Sequence, residues 1–143
     1  MKKYVIDASV AVKWYVPEAH SETAAGLLAA RDRGQARFHV PDLFASEVGS
    51  ILWKKVRREL LDDAEAQAIG TELLRVPMRV HNSRPWFPIA LRLSCEAGLT
   101  FYDSLYVTLA SGLRCELVTA DERLATAAGR RRWDLVRFVG SLT

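Results

Sequence analysis

Cysteine and histidine are scarce in this chain, with two Cys and three His in 143 residues. Cys95 and Cys115 are too few for a disulfide framework, and neither lies in a CxxC or beside a histidine, so both read as small buried apolar residues. His20, His39 and His81 are scattered, none at a metal-ligand spacing from another, and read as surface or strand decoration rather than as general bases. No apolar run approaches the ~20 residues needed to span a bilayer. The opening Met1-Lys2-Lys3-Tyr4-Val5-Ile6-Asp7 reaches a carboxylate too soon for a secretion signal. These absences predict a soluble, cytoplasmic protein with no membrane attachment, whose chemistry rests on carboxylates and hydroxyls. Linkers, repeats and low-complexity tracts are missing as well. Residues 1–143 therefore read as a single domain, long enough for one core and too short for two.

What is present is arginine, apolar surface and a regular alternation. Fifteen of the 20 basic residues are Arg and the formal charge is +3, which suits bidentate contact with phosphate or carboxylate and is compatible with nucleic acid without demanding it. Short apolar runs alternate with longer amphipathic ones. Strands are predicted over 2–6, 37–40, 79–81, 116–119 and 135–139. Helices are predicted over 8–16, stopped by Pro17; over 21–33, capped by Ser21 or His20; from Pro41-Asp42 through Val56; and from Asp62-Asp63 to about 75. Three more follow, over about 86–97, over 104–113 and over 121–129. This alternation predicts an α/β protein, a three-layer α/β/α sandwich around a central, mostly parallel sheet.

Four acids fall where strands end or helices begin. Asp7 closes Tyr4-Val5-Ile6, Asp121 follows Leu117-Val118-Thr119, Asp103 opens the helix before Ser104, and Glu47 lies early in the helix after Pro41. Ligands of open parallel sheets collect at the carboxyl ends of strands. Carboxylates gathered there repel one another and raise each other's pKa unless cations neutralise them. All-oxygen donors suit Mg²⁺ or Mn²⁺ rather than zinc, and such ions can activate water against a phosphodiester. Plainer readings stay open at three positions. Asp103 and Asp121 suit helix caps, Thr100 being the competing cap for Asp103, and Glu47 could mark the polar margin of its helix.

The segments Val5-Ile6-Asp7-Ala8-Ser9, Ala45-Ser46-Glu47-Val48, Tyr102-Asp103-Ser104-Leu105-Tyr106 and Val118-Thr119-Ala120-Asp121-Glu122-Arg123-Leu124 resemble the four acidic motifs of PIN-domain ribonucleases. The closest resemblance is to the VapC toxins of type II toxin-antitoxin systems, over essentially the whole chain. It implies a Mg²⁺- or Mn²⁺-dependent endoribonuclease that hydrolyses RNA, commonly tRNA or rRNA, with a metal-activated water. Asp7 and Asp103 would be the principal metal ligands, Glu47 and Asp121 would complete the quartet, and Ser9 and Thr119 would be supporting hydroxyls. It also implies a homodimer and a VapB antitoxin whose C-terminal segment inserts a basic side chain into the acidic site.

Phosphate contacts fall to Lys13, Lys54, Lys55, Arg57, Arg58, Arg123 and the run Arg130-Arg131-Arg132, and base stacking to Trp14, Tyr15 and Trp86. Surplus large apolar residues over Ser46 to Val56 and at Trp14-Tyr15-Val16 suggest an interface. Two other classes compete. A haloacid-dehalogenase-like phosphatase needs a second Asp two residues after the first, where this chain has Ser9. A catalytically silent PIN-like module would bind RNA or protein without turnover.

Overall fold

A computed structural model describes residues 1–130 and 135–142 of the chain. Five strands, β1 (Lys2–Ile6), β2 (Ala36–Pro41), β3 (Arg79–His81), β4 (Glu116–Thr119) and β5 (Val136–Phe138), form one sheet in the order β3-β2-β1-β4-β5. Every pairing is parallel. Seven helices are described: α1 (Ala8–Val12), α2 (Ser21–Asp32), α3 (Phe44–Arg57), α4 (Asp63–Leu73), α5 (Phe87–Ala97), α6 (Phe101–Leu113) and α7 (Glu122–Arg130). The chain winds outward from β1 through β2 to β3, then returns to the other side of β1 for β4 and β5. The reversal of direction lies between β1 and β4, and their carboxyl ends form the crevice.

Alternation along each strand assigns residues to two cores. Ile6, Phe38, Val40 and Val118 point to one face and pack with Val10, Ala24, Val48 and Leu73 from α1 to α4. Val5 and Leu117 point to the other and pack with Tyr106, Leu109 and Ala110 of α6 and Leu124 of α7. Both faces are covered, as an all-parallel sheet requires. Fully buried side chains such as Ile6 and Leu117 each contribute about 1.5–3 kcal/mol. The result is the predicted α/β/α sandwich.

Local chemistry sets most boundaries. Asp62 and Glu65 form a reciprocal capping box at the start of α4. Gly98 ends α5 in the left-handed conformation at φ 69°. Gly140 is needed for space, since a Cβ there would lie 2.5 Å from Phe138 and 2.7 Å from His20. Several expectations shift. α1 is helical only to Val12 and continues to Val16 as turns. His20 precedes α2 without a side-chain cap, and the Ser21 hydroxyl instead donates to Val16 O and accepts from Glu18 N. Pro41 ends β2, paired with His81, rather than opening α3, because its missing N–H costs nothing at a strand end.

Other corrections concern residues whose surroundings are set by pairing. Cys95 is exposed on α5, while Cys115 is buried as expected. The β2–β3 register brings His39 Nδ1 to 2.9 Å from His81 Nε2, so two of the three histidines are neighbours. Burial, then neighbouring positive charge, holds both below the usual histidine range. Among the described residues, no helix is long and apolar enough to cross a membrane.

Candidate active site

Asp7 is the hub of the acid cluster. It follows β1, donates its backbone N–H to Val118 O at 3.1 Å, and is 8% exposed. Its Oδ2 accepts from the Thr119 hydroxyl at 2.7 Å and its Oδ1 from the Ser9 N–H at 3.3 Å. Burial pushes the Asp7 carboxyl up, the Thr119 and Ser9 bonds pull it down, and Asp121 pushes it up again, for a net rise. Thr119 is itself fully buried and has a second task. Its oxygen accepts from the Asp121 N–H at 3.0 Å, so one hydroxyl ties the ends of β1 and β4 together. Ser9 completes the tie by accepting from Ala120 N at 3.2 Å.

The other acids arrive on helices that descend from this edge. Thr100 caps α6, accepting from the Asp103 N–H at 3.1 Å, which settles the cap and places Asp103 at the third helical position. Burial, followed by the charges of Asp7 and Asp121, pushes the Asp103 carboxyl up to about 6. Glu47 sits in the first turn of α3, and burial, with added repulsion from Asp7 and Asp103, pushes it up to about 7. Asp121 accepts from Arg123 N at 2.9 Å and Leu124 N at 3.3 Å, so it does cap α7 while also acting electrostatically on Asp7 and Asp103. Asp7 and Asp103 are therefore within electrostatic reach of each other, of Glu47 and of Asp121. Among the described residues, the cation beside them is Arg123, 97% exposed and 3.9 Å from Asp121, too solvated to neutralise four carboxylates.

Among the described residues, no three His, Cys, Asp or Glu side chains close into a ready-made metal cage. The donor set nevertheless fits a hard divalent cation. Every candidate ligand is a carboxylate oxygen, the donor chemistry that a hard divalent cation prefers. Asp7, Glu47, Asp103 and Asp121 could hold such an ion.

Tyr106 is the residue that sequence reasoning missed. It lies one turn beyond Asp103 on α6, is 1% exposed, and carries its hydroxyl into the range of Glu47 and Asp7. Its aromatic ring in an apolar helix looks like core, and only the adjacency to Glu47 distinguishes it. Other candidates sit elsewhere. Trp14 stacks on Phe38 at 5.3 Å and donates Nε1–H to Ala24 O, so it belongs to the core. Tyr15 packs partly buried beside the same core, and Trp86 beside the other. Lys13 and Lys55 are bound to Glu18 at 3.1 and 2.7 Å. Arg131, Arg132 and the Arg130 side chain lie outside the described residues. A cavity of about 860 Å³ runs along α5 and α6 and is lined by none of the four acids.

Comparison with known proteins gives a consistent family. Residues 4–130 match the family model of the PIN domain. The chain is 39% identical over 126 residues to ribonuclease VapC3 of Pyrobaculum aerophilum, covering 86% of this chain and 92% of that protein. Among solved structures, PAE2754 from Pyrobaculum aerophilum aligns with TM-score 0.71 at 25% identity, over 96% of this chain and 90% of that one. VapBC2 from Rickettsia felis, bound to a DNA fragment from its promoter, aligns with TM-score 0.64 at 13% identity, over 95% of this chain and 98% of that one, a likeness of fold.

Proposed function

Because the chain belongs to the PIN-domain family, and within it resembles the VapC ribonucleases, we propose that it is the toxin of a type II toxin-antitoxin pair, an endoribonuclease dependent on Mg²⁺ or Mn²⁺. Nucleases of this family generally depend on a divalent metal. The observation that carries the reading is the convergence of Asp7, Glu47, Asp103 and Asp121 on one sheet edge, with the first three pushed upward by burial and mutual repulsion. An RNA phosphate would be repelled from such an edge unless cations were bound there. In this reading Asp7 and Asp103 are the principal ligands, with Glu47 and Asp121 completing the set.

A bound divalent ion would supply water activation and charge neutralisation at the phosphodiester. The chain's own residues do the rest. The Thr119 hydroxyl fixes one Asp7 oxygen and the Ser9 N–H, at a longer 3.3 Å, orients the other. Ser9 and Thr119 lock the loop after β4, which holds Asp121 in place. The Thr100 cap sets the start of α6 and with it the height of Asp103. Arg123, fully extended into solvent beside Asp121, is placed to meet a substrate phosphate.

RNA, tRNA or rRNA in particular, is the proposed substrate, and a VapB-type antitoxin and a second copy of the chain are the proposed protein partners. Support for protein partners comes from exposed apolar side chains: Trp53 on α3, Leu74 just after α4, and Phe87, Ile89 and Leu91 on α5. Trp14 and Val16 drop out of this surface because they pack into the core. We propose a cytoplasmic location and one functional domain over residues 1–143. A catalytically silent binding module is the second reading, favoured by the capping role of Asp121 and the open spacing of the acids. Cleavage of RNA assayed with Mg²⁺, Mn²⁺ and EDTA, beside Asp7→Asn, separates the two. Metal-dependent cleavage lost in the variant supports the nuclease. Full activity in chelator or in the variant would overturn it.

A further inference from the structure

Two polar atoms of the acid edge are sealed from solvent and lack a hydrogen-bond partner, and they are neighbours: Glu47 Oε1 and the Tyr106 hydroxyl. The hydroxyl lies within interaction range of the carboxylate and of the Ala8 backbone, and neither contact reaches hydrogen-bond geometry. Buried polar groups are rarely left unpaired. Phenylalanine would fill the same core volume without stranding a hydroxyl, so packing alone does not account for a tyrosine at a site 1% exposed. The arrangement repeats at Asp7, whose rear oxygen is held by the Thr119 hydroxyl.

We propose that Tyr106 is a positioning residue for Glu47: its hydroxyl donates to Glu47 Oε1 and turns the other carboxylate oxygen toward Asp7 and Asp103, completing the cation site. This rests on the reading of the four acids as metal ligands. The geometry makes α6 contribute twice, with Asp103 as a ligand and Tyr106, one turn later on the same face, as the support of a ligand from α3. Partners behind a ligand orient it, and their loss typically weakens metal affinity by about 10–100-fold.

The test compares the full chain with Tyr106→Phe, by Mn²⁺ binding measured calorimetrically and by thermal melting without metal. About tenfold weaker Mn²⁺ binding is expected, with a metal-free Tm equal to or above that of the parent, because a stranded hydroxyl is removed. In a Glu47→Gln background, Tyr106→Phe is expected to change Mn²⁺ affinity no further, since the two residues act as one unit. Unchanged Mn²⁺ affinity in Tyr106→Phe would overturn the inference and leave the acid site standing. So would a lowered metal-free Tm with the same affinity loss in both backgrounds, which would mark a packing role. If Asp7→Asn binds Mn²⁺ as the parent does, the acid site itself is wrong and the Tyr106 role falls with it.

Discussion

Two clusters of partly buried charge treat their ions in opposite ways. At Glu18 a carboxylate sits between Lys13 and Lys55, whose side chains are 9% and 17% exposed, with bonds of 3.1 and 2.7 Å. Burial pushes Glu18 up, but the bonds from Lys55 and Lys13 outweigh it and the net shift is downward. The acid edge gathers four carboxylates beside the solvated Arg123, and Asp7, Glu47 and Asp103 all shift upward. The first cluster closes its electrostatics internally and pins the loop after α1 to α3. The second is held open by neutral hydroxyls, Thr119 and Ser9, which orient charge without cancelling it. Carboxylates pushed upward in this way mark the edge as the candidate site, and the proposed cation would neutralise them.

The largest break in this comparison is expected from Asp7→Asn. It retains the volume and the Thr119 contact, yet RNA cleavage should fall by more than the roughly 100-fold that marks loss of an outer-shell partner. Thermal melting of the same variant should show no loss of stability, because a buried, repelled charge has gone. Next in size is Thr119→Val, which strips Asp7 Oδ2 of its donor and Asp121 N of its acceptor. Mn²⁺ affinity should drop about tenfold, read by calorimetry.

Glu18→Ala tests the other cluster. It leaves two lysines facing each other and should cost about 1–2 kcal/mol in urea denaturation, between the values for exposed and fully buried pairs. Mn²⁺ affinity should stay at the parent value, and a matching fall would show that the clusters are coupled. The smallest effect concerns pH. Glu47 rises from an ordinary 4.5 to about 7 and Asp103 from 3.8 to about 6, so across that interval the folded state binds more protons than the unfolded one. Metal-free stability should therefore fall as pH rises from about 5 to 7.5. Glu18, shifted downward, acts oppositely, its contribution disappearing as pH falls through and below its ordinary value of 4.5. Melting curves across this range should show the decline, Mg²⁺ should reverse it at the upper end, and Glu47→Gln should flatten it.

Much of the fold was legible because it is local. Predicted strands over 2–6, 79–81 and 116–119 coincide with β1, β3 and β4, since short apolar runs bounded by turn residues carry their own boundaries. The positions of Asp7, Asp103, Asp121 and Glu47 at element ends were legible for the same reason, while their roles rest on the proposal above. Pro41 was misread as a helix opener because proline suits both a helix start and a strand end, and only pairing with His81 distinguishes them. Cys95 was misread because free cysteine is usually buried, and helix α5 turns that position outward. Tyr106 looked like one more aromatic of an apolar helix.

By itself, the sequence determined the order of strands and helices, the sandwich they must form, and the element ends where the acids stand, because residue propensity and the periods of 2 and 3.6 act over a few residues. Tertiary structure alone decided which groups meet. Thr119 reaches Asp7 across 112 positions, His39 meets His81 across 42, and Tyr106 comes to Glu47 from another helix. The first two depend on strand order and parallel register, β1 beside β4 for the first and β2 beside β3 for the second, which no local signal encodes. The upward shift of the acids followed from the same cause, since burial is a property of the assembled layers and not of any residue within them.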